Sequence, residues 1–86
     1  MSELIHSPKQ LGNAIRNARK KLGMSQSELG KKAGRRQETI SLLENGNSAA
    51  KLETVLTVLS ALNLEIQIHP RSFSYGYQTT LFDDES

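Results

Sequence analysis

The fold is decided by residues 24–46, which read MSQSELGKKAGRRQETISLLENG. Ser25 and Glu28 have the spacing of a capping box at the start of a helix, and Gly34 ends that helix after about two turns. A second short helix begins near Arg36 or Gln37 and ends at the Asn-Gly pair that closes the segment. Two short helices joined by a tight glycine-containing turn predict a helix-turn-helix unit, whose second helix presents one face to the major groove of DNA.

Longer apolar patterns flank this segment on both sides. Ser7 and Pro8 are typical of a helix start. Four apolar residues then recur at the spacing of one helical face: Leu11, Ile15, Ala18 and Leu22. After a loop at 47–50, five further apolar residues predict a fourth helix: Leu52, Val55, Leu56, Leu59 and Leu62. We therefore expect a mostly α-helical domain of four or five helices over residues 7–62.

The hydropathy pattern changes after this domain. Residues 64–69 alternate apolar and polar side chains, which is typical of a half-buried β-strand, and Pro70 closes the pattern. One strand leaves its backbone groups unpaired, and the only other short candidate is residues 4–6. The simpler solution is the same strand from a second chain, paired antiparallel about a two-fold axis. We predict that residues 63–70 form this two-stranded intersubunit sheet. Its apolar residues are Leu64, Ile66 and Ile68.

Residues 71–86 form a tail without a clear period, and we expect this tail to be flexible. It contains every aromatic residue of the chain and ends in acidic residues. Docking of the tail into a partner and a disordered end both fit this composition.

The composition excludes several classes of protein. No apolar run approaches the ~18 residues that cross a bilayer, and the N-terminus lacks the basic and apolar regions of a signal peptide. The chain has no cysteine, which excludes disulfides and thiolate metal sites and favours a cytoplasmic location. His6 and His69 share no spacing with other ligating or catalytic residues. We therefore expect no membrane contact, no metal, no cofactor and no enzymatic activity.

The charge is unevenly distributed along the chain. The net charge of +2 divides into +6 for residues 1–51 and −4 for residues 52–86. Such asymmetry favours a polyanionic partner for the first part of the chain.

The helix that begins at Gln37 contains the candidates for reading DNA bases. Ile40 and Leu43 point inward at helical spacing, so the residues opposite them face outward. The candidate base contacts are Arg36, Gln37, Glu38, Ser41 and Leu42. Arginine pairs with guanine, glutamine with adenine and glutamate with the cytosine amino group, while leucine contacts a thymine methyl. Glu38 has two alternative roles, because it can also cap the helix or pair with Arg35.

Phosphate contacts are expected around this helix. Ser25 and Gln26 open the first short helix, where backbone N–H groups point outward. The remaining candidate phosphate contacts are Arg35, Thr39, Asn45 and Lys51. In contrast, we interpret Glu44 as a structural residue that pairs with Arg19. Lysines 20, 21, 31 and 32 are expected to form a solvated face.

The motifs in residues 24–34 and 37–46 resemble those of the phage-repressor (Xre/Cro) helix-turn-helix family. The segment 7–14 and the strand at 64–68 extend the resemblance to HipB-type antitoxins. The resemblance implies a lambda-repressor-like fold and base contacts at Arg36, Gln37, Glu38 and Ser41. It also implies a dimeric repressor that silences its own operon and neutralises a HipA-type serine/threonine kinase toxin.

A dimer of this kind predicts an inverted-repeat operator whose half-sites lie about 34–36 Å apart. Two other functions remain open on the sequence alone. One is an autonomous Xre-type regulator without a toxin partner. The other is a protein-interaction adaptor that does not bind DNA.

Overall fold

The computed structural model describes residues 3–47 and 49–71, and in these the chain forms four α-helices. They are α1 (Pro8–Lys21), α2 (Gln26–Ala33), α3 (Gln37–Glu44) and α4 (Leu52–Ala61). Helix α3 packs against both α1 and α2, and α4 packs against α2. The architecture agrees with the predicted mostly α-helical domain. No helix of the described residues has the length and hydropathy needed to cross a membrane.

Local signals set the helix boundaries. The Ser7 hydroxyl accepts the Gln10 N–H at the start of α1, where proline occupies the first turn. At the start of α2, the Glu28 N–H donates to the Ser25 hydroxyl, and the Ser25 N–H donates to the Glu28 carboxylate. Helix α2 ends at Gly34, which has the left-handed φ of 68° that favours glycine.

Each helix contributes one fully buried side chain to the centre of a single core. These side chains are Ile15 from α1, Leu29 from α2, Ile40 from α3 and Val58 from α4. Burial of one such side chain is worth roughly 1.5–3 kcal/mol relative to leaving it in water. Helix α3 is therefore held by contacts of Ile40 to the rest of the domain.

Two glycines allow the helices to approach one another closely. A Cβ placed on Gly12 of α1 would lie 2.4 Å from the Leu43 carbonyl oxygen of α3. A Cβ on Gly30 of α2 would lie 2.7 Å from the carbonyl oxygen of Arg35, in the turn that joins α2 to α3. Both obstacles are backbone atoms, so these positions fix how deeply α3 sits against its neighbours.

Some apolar residues of the predicted helical faces are exposed. Leu22 lies at the end of α1 and is half exposed, while Leu52 and Leu56 of α4 are also exposed. Val58 takes the central place on α4, and Val55, Leu59 and Leu62 are buried with it.

Residues 64–71 form no strand within the described part of the chain. Ile66 is 50% exposed and Ile68 is 95% exposed. The predicted two-stranded sheet needs a second chain, so it stays a prediction. The predicted tail, apart from Arg71, lies outside the described residues.

Candidate nucleic-acid interface

The outer face of α3 carries the predicted base contacts. Gln37, Glu38 and Leu42 are exposed and Ser41 is half-buried, whereas Ile40 and Leu43 are buried in the core. Arg36 precedes the helix as its N-cap and is also exposed. The helical period thus separates the side chains that hold α3 in place from those that meet solvent.

Glu38 has neither of the structural roles that the sequence left open. No side chain caps the N-terminus of α3, and Arg35 donates through Nη1 to the Gly34 carbonyl oxygen at 3.2 Å. The Glu38 carboxylate therefore lies exposed in the first turn of α3, without a cap or an ion pair in the residues that the structure describes. This geometry leaves it available to an amino group on a base edge.

The predicted phosphate contacts lie on α3 and on the segments next to it in the fold. Ser25 and Gln26 are at the N-terminus of α2, Arg35 is half-buried in the turn, and Thr39 is half-buried on α3. Two further candidates are exposed at helix boundaries: Asn45, which ends α3, and Lys51, which precedes α4.

The N-terminus of α2 has unused hydrogen-bond donors. The capping box uses the N–H groups of Ser25 and Glu28, and the Leu29 N–H donates to the Ser25 carbonyl oxygen. The N–H groups of Gln26 and Ser27 have no acceptor in the described part of the chain. An anion can be bound at such a position. The capping hydrogen bonds from Ser25 lower the pKa of the Glu28 carboxyl, which stays ionised at neutral pH.

A buried ion pair joins α1 to α3 behind this surface. Arg19 donates through Nε to Glu44 Oε2 at 2.6 Å and through Nη2 to Glu44 Oε1 at 3.0 Å. Its Nη1 donates to the Met24 carbonyl oxygen at 2.8 Å, in the loop before α2. The predicted pairing of these residues is confirmed, and it places Arg19 in the core, where it is only 8% exposed.

The ion pair keeps both partners charged. Burial alone would raise the pKa of the Glu44 carboxyl, but hydrogen bonds from Arg19 and Gln26 and the charges of Arg19 and Arg16 outweigh it. The pKa of Glu44 therefore lies below its ordinary value. The hydrogen bond to Glu44 raises the pKa of the Arg19 guanidinium.

Three features of the interface were not predicted. Gly12 and Gly30 hold α3 close to its neighbours, and Gln26 donates through Nε2 to Glu44 Oε1 at 3.1 Å. A glycine within a helical pattern is a weak signal of close backbone approach, so the sequence weakly indicated the close approach at Gly12 and Gly30. Nothing in the sequence indicated the hydrogen bond between Gln26 and Glu44.

Known helix-turn-helix proteins have sequences similar to this chain. Residues 15–68 match the helix-turn-helix family HTH_3. Antitoxin HipB of Escherichia coli K12 is 42% identical over 64 residues, which cover 74% of this chain and 73% of the relative. An uncharacterized HTH-type transcriptional regulator of Archaeoglobus fulgidus is 37% identical over 71 residues, which cover 83% of this chain and 87% of that protein.

Solved structures of HipB complexes have the same fold. A HipB–O4 20mer complex superimposes with a TM-score of 0.74 at 40% identity, covering 79% of this chain and 96% of the HipB chain. A HipA–HipB–O2–O3 complex gives the same TM-score, identity and coverage.

Proposed function

Since this chain belongs to the helix-turn-helix family, and within it to the HipB antitoxins, we propose that it is a cytoplasmic, sequence-specific repressor and antitoxin. In this proposal a homodimer binds an inverted-repeat operator, represses its own operon and neutralises a HipA-type serine/threonine kinase toxin. The main support for DNA binding is the outward face of α3. This face carries polar side chains, while the opposite face of the helix is buried in the core.

The chemistry of this face suits readout in the major groove. We assign base contacts to Arg36, Gln37, Glu38, Ser41 and Leu42. Leu42 is 51% exposed, and an apolar side chain at that place suits a thymine methyl group. Four of these side chains are exposed and Ser41 is half-buried, so the core does not have to open for them to reach DNA.

The surroundings of α3 suit the DNA backbone. The N-terminus of α2 offers two unused backbone N–H groups, and the side chains of Arg35 and Lys51 add positive charge. We assign phosphate contacts to six residues: Ser25, Gln26, Arg35, Thr39, Asn45 and Lys51. These contacts supply affinity and orientation, while the outer face of α3 supplies sequence preference.

Homodimerisation is supported by an apolar surface that the single chain leaves open. A cavity of about 640 Å³ is lined by residues 3–6, Leu11 and residues 66–71. Its apolar lining residues are Leu4, Ile5, Leu11, Ile66, Ile68 and Pro70. We propose that residues 63–70 pair with the same segment of a second chain and that residues 7–62 bind DNA.

Antitoxin activity is supported by the relatives. A solved complex contains HipB together with HipA, and its HipB chain covers this chain as fully as the other HipB structures do. We therefore propose that a HipA-type kinase encoded beside this gene is the toxin partner.

DNA binding is tested by selecting operators from a random duplex library and by titrating the selected and a scrambled duplex at several salt concentrations. We expect an inverted repeat with half-sites one helical turn apart, and binding to both duplexes that weakens steeply as salt rises. An adaptor that does not bind DNA would retain no duplex and show no salt dependence.

The antitoxin role is tested separately with the kinase of the neighbouring gene. We expect the two proteins to co-purify, and the kinase to lose activity in the complex. A protein that represses its operon but neither binds nor inhibits the kinase would be an autonomous regulator. Absence of a kinase gene beside this one would support the same alternative.

A further inference from the structure

The side chain of Gln26 connects the proposed phosphate site to the interior of the domain. Gln26 is the first residue of α2 and is half-buried, and its Nε2 donates to Glu44 Oε1. A carboxylate only accepts hydrogen bonds, so the nitrogen end of the amide must face it. The second hydrogen on Nε2 is then left for another acceptor, beside the unused N–H of the Gln26 backbone.

Glu44 is fixed on its other side. Arg19 donates to both carboxylate oxygens of Glu44, and the same guanidinium donates to the Met24 carbonyl oxygen two residues before α2. Arg19 and Glu44 are 8% and 5% exposed, so neither can exchange its partner for water without leaving the core. The loop before α2, the end of α3 and the Gln26 amide are therefore held by one rigid group.

We propose that Glu44, held by Arg19, is a positioning residue that orients the Gln26 amide toward a DNA phosphate before DNA binds. This inference rests on the proposed DNA-binding function. A glutamine side chain that is free in solution must be ordered on binding, whereas an amide already held by Glu44 has lost most of that freedom on folding. Glu44 thus increases DNA affinity without contacting DNA.

The test is a double-mutant cycle measured as DNA affinity. One arm is Gln26→Ala, and the other replaces the ion pair by apolar residues, Arg19→Met with Glu44→Leu, which keep the core filled. We expect the ion-pair replacement to weaken binding about threefold to tenfold when Gln26 is present, but less than about twofold when Gln26 is alanine.

Two further readouts separate positioning from a general structural effect. Because Gln26 contacts phosphate, its replacement weakens binding to the selected and the scrambled duplex by the same factor. Because the amide is neutral, the salt dependence of binding stays as in the wild type, whereas Lys51→Ala makes it shallower. An ion-pair replacement that costs the same affinity in both Gln26 backgrounds would overturn the inference.

A second measurement needs no substitution in the core. In the wild-type protein without DNA, NMR relaxation of the side-chain amide of Gln26 is compared with that of Gln37. Both residues open a short helix, but Gln37 is exposed and has no side-chain hydrogen bond in the described part of the chain. We expect a restricted Gln26 amide and a mobile Gln37 amide. Equal mobility would overturn the inference even if the apolar variant fails to fold.

The outcomes also separate the two proposals. If the wild type binds neither duplex at any salt concentration, the proposed function fails and the inference fails with it. If the wild type binds DNA and the two losses are additive, only the positioning role is wrong.

Discussion

Glutamine opens both helices of the helix-turn-helix, and the two side chains have different surroundings. Gln26 is half-buried and bonded to Glu44, whereas Gln37 is exposed at the start of α3. The exposure of Gln37 follows from the helical period, since it lies opposite Ile40 and Leu43. The bond of Gln26 was not predicted, because a neutral amide carries no charge that would single out Glu44, 18 residues away, as its partner.

At the residue scale, Gln37→Ala tests base readout. A bidentate bond between glutamine and adenine contributes specificity, so we expect the substitution to cost about 1–3 kcal/mol on the selected operator and to relax preference at one base pair. Binding to a scrambled duplex changes little, because no phosphate contact is lost. Fluorescence anisotropy titrations on both duplexes measure the two losses.

The matched control for this substitution is Asn13→Ala on α1. Asn13 is also an exposed polar residue on a helix, but it lies outside the proposed interface, and its replacement leaves both affinities unchanged. Equal losses on the operator and on the scrambled duplex after Gln37→Ala would show that Gln37 does not read a base.

At the element scale, the helices were predictable where a local signal exists. The capping box of Ser25 and Glu28 begins α2, and Gly34 ends it, as their residue types and spacing predict. Packing between helices was less predictable. The pairing of Arg19 with Glu44 was predicted, but the burial of Arg19 was not, since arginine side chains are mostly exposed. Intersubunit pairing of residues 64–68 is a property of two chains and stays a prediction.

The junction between α2 and α3 is tested by Gly30→Ala. Alanine favours helix over glycine by about 1 kcal/mol, but its Cβ would lie 2.7 Å from the Arg35 carbonyl oxygen, which belongs to the backbone. Since the turn must shift to relieve this overlap, we expect a net loss of about 1–3 kcal/mol in the free energy of unfolding. Urea denaturation followed by circular dichroism measures this loss.

Ser27→Ala on the exposed side of the same helix is the control, and we expect it to change stability by less than about 0.5 kcal/mol. DNA affinity of the folded Gly30 variant falls as well, because the angle between α2 and α3 sets which groups reach the duplex. A Gly30→Ala variant that is more stable than the wild type would mean that the turn does not require close approach.

At the scale of the whole molecule, the proposed DNA-reading helix and the proposed dimer segment lie in different parts of the chain. The net positive charge lies in residues 1–51, which contain α2 and α3, while the two most exposed isoleucines, Ile66 and Ile68, lie after α4. A two-fold dimer through residues 63–70 would cover these isoleucines and present two copies of α3 to one duplex. Dimerisation and operator recognition are therefore expected to depend on each other.

This dependence is tested by Ile66→Lys, matched with Gln67→Lys on the opposite face of the predicted strand. Both variants add one positive charge, so they affect phosphate attraction alike, but only Ile66→Lys places a charge where apolar side chains of two chains meet. Each dimer loses two Ile66 side chains, which makes the free energy of association less favourable by about 3 kcal/mol or more. We expect Ile66→Lys to sediment as a monomer and to bind a full operator no better than a half-site, while Gln67→Lys remains dimeric and prefers the full operator. If both variants remain dimeric and still prefer the full operator, the subunit contact lies elsewhere on the chain.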